Sequence, residues 1–96
     1  MGNIVRMHVL VTGRVQGVNF RWFTQEKARA LGVTGWVRNL ESGHVEAEIE
    51  GDQASIDELL GQLHVGPRSA QVDTVEATPI SSVKQYSDFE VRYDWA

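Results

Sequence analysis

No cysteine occurs in the 96 residues. That absence excludes a disulfide framework, a thiolate metal site and a cysteine nucleophile, and it fits a reducing, cytoplasmic setting. Prolines number only two, and no stretch rich in Pro or Ser reads as a linker. No apolar run reaches membrane-span length. Arg6 and His8 interrupt the first apolar stretch, so it does not read as a signal peptide. Basic residues are in the minority, nine Lys and Arg against thirteen Asp and Glu, for a net charge of −4. Such a balance disfavours nucleic acid and anionic membrane as partners. An anionic ligand therefore needs a local cationic site. Low-complexity tracts and internal repeats are missing too. The length suits one domain over residues 1–96, and a 42% hydrophobic share can fill a small core.

The hydrophobic pattern reads as alternating strands and helices. Val5 to Thr12 carries apolar residues on both faces, as a central strand does. A helix is expected from about Arg21 to Leu31, stopped by Gly32, with Phe20, Thr24, Ala28 and Leu31 on one face. Gly35 to Asn39 and His44 to Glu50 form a hairpin around Glu41-Ser42-Gly43. Val45, Ala47 and Ile49 point inward, and Glu46, Glu48 and Glu50 form a solvated outer stripe. Asp52 caps a second helix carrying Ile56, Leu59, Leu60 and Leu63, which ends at Gly66-Pro67. Gln71 to Thr78 reads as a fourth strand. Phe89, Val91, Tyr93 and Trp95 alternate in a short last one, after a flexible loop from Ser81 to Asp88. The order βαββαβ predicts an α+β, ferredoxin-like sandwich, an antiparallel sheet of four to five strands with two helices on one face.

The segment Gly13-Arg14-Val15-Gln16-Gly17-Val18-Asn19-Phe20-Arg21 joins the first strand to the first helix through a glycine-containing turn. That layout aims backbone N–H groups and a helix N-terminus at one spot beside a guanidinium, which favours a phosphate-sized anion. An arginine at a helix N-terminus conflicts with the macrodipole, and a bound anion resolves the conflict. The loop lacks the Lys-Ser/Thr pair of a Walker A sequence and the glycine spacing of a dinucleotide fingerprint, so neither ATP nor NAD is indicated. His8, His44 and His64 lack metal-ligand spacing. Arg14 reads as a solvated loop residue, and Trp22, Trp36 and Trp95 as packing residues.

These residues resemble a known family. Gly13 to Arg21 is similar to the first signature of the acylphosphatases. Gly35-Trp36-Val37-Arg38-Asn39-Leu40-Glu41-Ser42-Gly43-His44-Val45-Glu46, with the later Gly51, is similar to their second, and Gly66-Pro67-Arg68-Ser69-Ala70 to their link into the fourth strand. The resemblance implies hydrolysis of small acyl phosphates to a carboxylate and inorganic phosphate, with no metal and no other cofactor. It implies that Arg21 binds the phosphoryl group and that Asn39 holds the attacking water. The loop of Val15, Gln16, Gly17, Val18, Asn19 and Phe20 then wraps the phosphoryl group with N–H donors. Inorganic phosphate is the expected product and weak inhibitor. A cytoplasmic monomer with neither nucleic acid nor membrane as partner is the expected setting. The alternative is a noncatalytic phosphate- or carboxyphosphate-binding module of the same fold, since acylphosphatase-like domains also occur inside larger hydrogenase-maturation carbamoyltransferases.

Overall fold

The computed structural model describes residues 4–81 and 86–94. Seven elements follow in order: β1 (Ile4–Arg14), α1 (Phe20–Ala30), β2 (Thr34–Asn39), β3 (Val45–Asp52), α2 (Gln53–Val65), β4 (Gln71–Pro79) and β5 (Phe89–Arg92). One sheet has the strand order β4-β1-β3-β2-β5. β1 pairs antiparallel with β3 and β4, and β3 antiparallel with β2. β5 differs from the expected all-antiparallel sheet by running parallel to β2. It adds beside β2, which runs the same way, so the register places Val91 beside Val37 and Arg92 beside Arg38. Trp95 and half of the expected 81–88 loop, residues 82–85, lie outside the described residues.

One face of the sheet forms the core with both helices. Val9 and Val11 of β1, Val37 of β2, Val45, Ala47 and Ile49 of β3, and Phe89 of β5 are buried there. Phe20, Thr24 and Ala28 of α1 and Ile56, Leu59 and Leu63 of α2 meet them. Burying each of the Val, Leu, Ile and Phe side chains contributes about 1.5–3 kcal/mol. The inward and helical stripes expected from the periodicity are thus the observed ones, with Leu31 only partly buried at the margin.

The helix ends follow local chemistry. The Asp52 carboxylate accepts from the Ser55 N–H at 2.8 Å, capping α2. At the end of α1 the Val33 N–H donates to Ala28 O at 2.8 Å and the Gly32 N–H to Arg29 O at 3.2 Å. This is the Schellman arrangement. Arg29 then reaches Asp88 with two hydrogen bonds, of 3.2 and 2.9 Å, holding the start of β5 to α1. Those bonds, with one from the Phe89 N–H, hold the Asp88 carboxyl below its ordinary range.

The outer face is not the solvated acidic stripe expected from Glu46, Glu48 and Glu50. β3 is flanked on both sides, so its outward carboxylates lie between cations of two neighbouring strands. Arg6 of β1 pairs with Glu48 at 3.0 Å and Glu50 at 3.2 Å. Glu46 is bonded by His8 at 2.7 Å and by Arg38 at 2.8 Å, and Arg38 reaches on to Asp94 at 3.2 Å. Trp36 is buried on this face, its indole N–H donating to Tyr86 Oη at 3.2 Å, and the Tyr86 hydroxyl donates to Glu48 at 2.8 Å. The Arg38 and Arg92 guanidiniums lie 5.1 and 4.6 Å from the Trp36 ring centre.

Burial pushes the Glu46 carboxyl upward, but the His8 and Arg38 hydrogen bonds together outweigh it and leave it below its ordinary value of 4.5. Folded Glu46 therefore holds its proton more weakly than the unfolded chain does. Its contribution to stability is complete above 4.5 and is lost as pH falls below that value. Glu46→Gln should cost on the order of 1 kcal/mol near neutral pH. That penalty should shrink toward nothing in strongly acidic buffer, as urea melts of both proteins across the pH range would record.

Candidate active site

The ends of β1, β2 and β5 lie at one edge of the sheet, together with the N-terminus of α1. The connection from β1 to α1 starts at a register shift between Thr12 and Gly13. A Cβ at Gly13 would collide with the β4 backbone at Gln71 and Asp73, so only glycine permits this approach. Gly17 has a φ of 74°, and a Cβ there would meet nothing within 4 Å. Its glycine serves the backbone turn and leaves an unshielded main-chain surface. Asn19 is left-handed at φ 63° and precedes α1 without a side-chain cap. The bond from the Phe23 N–H to Asn19 O, at 2.9 Å, is the first of the helix. Among the described residues, every backbone N–H from Gln16 to Trp22 is without a protein acceptor.

These donors border an open cavity of about 360 Å³ lined by Val15, Gly17, Asn19, Phe20, Arg21, Trp22, Gln25, Asn39, Val91 and Tyr93. The structure thus brings Arg21 and Asn39, remote in sequence, to one concavity with Val15, Gly17, Asn19 and Phe20. Arg21 is held on two sides. One guanidinium nitrogen donates to Arg92 O at 3.1 Å, and the group lies over the Tyr93 ring, 4.7 Å from its centre. Asn39 is the last residue of β2 and only 8% exposed. Among the described residues its carboxamide has no protein hydrogen-bond partner, so its polar atoms are uncommitted.

Gln16 and Val18 belong to the loop, but their side chains do not line the cavity. Val18 packs against the core. The Gln16 side-chain amide donates to Leu40 O at 2.7 Å and His44 O at 2.8 Å, the two ends of the β2–β3 turn. The loop and the strand end carrying Asn39 are therefore clasped together. Nothing in the one-dimensional pattern signals that clasp, because it joins segments more than twenty residues apart.

Tyr93 was also hidden in the sequence. The parallel pairing of β5 with β2 carries the chain past Arg92 to the level of Asn39. An antiparallel last strand would have placed Tyr93 at the other edge of the sheet. Trp22 departs from the expected packing role. The core stripe of α1 runs through Phe20, Thr24 and Ala28, so residue 22 falls on the opposite side and is 57% exposed at the cavity rim. Phe23 instead packs beside Phe20, with ring centres 6.0 Å apart. Arg14 is exposed, but it is the last residue of β1, paired with Gln71, and not part of the loop.

Comparison with known proteins agrees with this geometry. The acylphosphatase family model matches residues 7–91. An acylphosphatase of Anaeromyxobacter dehalogenans is 45% identical over 93 residues, 97% of this chain and 100% of its own. One from Thermococcus kodakarensis is 56% identical over 72 residues, 75% of this chain and 79% of its own. The acylphosphatase structure from Coxiella burnetii superposes with a TM-score of 0.89 at 46% identity, covering 94% of each chain. A full-length HypF in its phosphate- and nucleotide-bound form contains a similar unit. There the TM-score is 0.89 at 27% identity, covering 99% of this chain and 13% of that one. With a family model spanning most of its length and relatives this similar over nearly all of it, the chain belongs to the acylphosphatase family.

Proposed function

We propose that this acylphosphatase splits acyl phosphates by direct attack of a water held by Asn39, while Arg21 and the Val15–Phe20 loop hold the phosphoryl group. One observation carries the reading: unpaired N–H groups, a positioned guanidinium and an uncommitted buried carboxamide share a single cavity. The relatives matched over nearly the whole chain bear the enzyme's name, which favours catalysis over a noncatalytic binding module.

The chemistry asks little more of the protein. Phosphoryl transfer through a loose transition state needs in-line positioning and stabilisation of the equatorial oxygens. A planar guanidinium supplies two parallel hydrogen bonds to them. Backbone amides in a fixed loop add dipoles already oriented before reaction. The Asn39 carboxamide can accept from the water and donate to the phosphoryl group, fixing both in one line. As the water oxygen bonds to phosphorus, the bond from phosphorus to the acyl oxygen breaks. The electron pair leaves on the carboxylate, which needs no proton and hence no general acid. The water's protons end on the phosphate, so carboxylate and dihydrogen phosphate balance the reaction.

The reading extends to the molecule as a whole. Residues 1–96 act as one domain and as a monomer. Among the described residues no helix is long and apolar enough to cross a membrane. The cysteine-free composition supports the cytoplasm as its location.

Turnover of benzoyl phosphate with excess chelator present tests the core of the proposal. Arg21→Ala should lower kcat/KM by about 10³-fold or more and abolish competitive inhibition by inorganic phosphate. Arg21→Lys should fail nearly as badly, because a point charge cannot copy the fork. Asn39→Ala should lose turnover by about 10²-fold while phosphate still inhibits and still raises the melting temperature. Equal collapse of phosphate affinity in that variant would remove the water-holding role. Gln16→Ala should lower stability by about 1–2 kcal/mol through loss of its two hydrogen bonds. It should also weaken phosphate inhibition, since the loop would no longer be tied to the turn. An unchanged melting temperature would show that the clasp contributes nothing.

A further inference from the structure

The phosphoryl end of the cavity accounts for Arg21, Asn39 and the loop, but not for the rest of the wall. Four large apolar side chains are exposed among the described residues, and two of them, Trp22 at 57% and Tyr93 at 73%, line this one cavity. Val91 lies partly exposed in the same lining. Among the described residues, Arg21 is the only ionised group in the lining. Once a phosphoryl group has taken that cation, the remaining wall offers flat apolar surface and neutral amides. An acyl group carrying a second negative charge would meet no second cation among the described lining residues, and the net charge of −4 opposes it further. An indole kept in water at a cavity rim is an informative exposure, unlike scattered surface leucines.

We infer that Trp22 is a specificity-determining residue. Its indole forms the acyl-side wall, so that the enzyme favours acyl phosphates whose acyl group is neutral, flat and apolar, such as an aromatic carboxylic acid. The inference rests on the proposed catalytic reading of the same cavity. An aromatic acyl group presents a face that can stack on the indole in an offset or edge-on arrangement. An acetyl group presents one methyl. The preference therefore acts in binding and appears in KM, since the indole meets the acyl group rather than the reacting phosphorus.

The experiment measures KM and kcat for benzoyl phosphate and acetyl phosphate in the wild type, Trp22→Ala and Trp22→Phe. Wild type should show a lower KM for benzoyl phosphate. Trp22→Ala should reduce the benzoyl-over-acetyl ratio of kcat/KM by about tenfold, carried mainly by KM, the size expected for an apolar wall. Trp22→Phe should restore most of it, because a ring face is retained. An unchanged ratio in Trp22→Ala would overturn the assignment. So would a parallel loss for both substrates, which marks a structural role. Failure of the wild type to hydrolyse either substrate would instead overturn the catalytic reading beneath it.

Discussion

A run of main-chain amides with no acceptor among the described residues is the constraint from which this molecule is built. Leaving a backbone donor unpaired away from water costs free energy comparable to a lost hydrogen bond. Folded chains avoid such groups unless a ligand or solvent serves them. Here they are kept together from Gln16 to Trp22, at the positive end of a helix and beside Arg21. The loop cannot supply its own rigidity, because it forms few bonds within itself. Its shape has to be imposed from outside.

The surrounding fold supplies that shape from three sides. β1 enters the loop from the interior of the sheet, with β3 and β4 paired to it on either side. α1 leaves it with Phe20 buried in the core, which fixes the helix start. Gln16 ties the middle to the β2–β3 turn. On the outer face of the sheet, the Arg6, His8 and Arg38 pairs with Glu46, Glu48 and Glu50 lock β1, β3 and β2 in register. A slip of one residue would turn every one of those side chains to the other face. The ion pairs are therefore as much about alignment of the strand ends as about stability, and the strand ends are where Arg14 and Asn39 sit.

Much of this was legible in the residue pattern. The alternation of Val45, Ala47 and Ile49, the spacing of Ile56, Leu59 and Leu63, and the cap at Asp52 each have one local cause and gave one local answer. The glycine turn before Phe20 and Arg21 pointed to an anion site for the same reason. What the pattern did not carry were consequences of strand neighbours. Glu46, Glu48 and Glu50 look solvated when only β3 is considered, and become paired once Arg6, His8 and Arg38 lie alongside. Tyr93 joined the cavity only through the parallel direction of β5. Trp22 lies off the stripe of Phe20, Thr24 and Ala28 in helical phase, and that phase, rather than a packing role, governs where it sits.

The parallel course of β5 separates the two ends of the described chain in space. Ile4 begins β1 roughly 30 Å of strand away from the loop, at about 3.3 Å per residue. Tyr93 stands at the cavity itself. The described chain therefore starts at the end of the sheet opposite the cavity and closes beside its mouth, so the entrance is built partly from the last strand while the first described residues take no part in it.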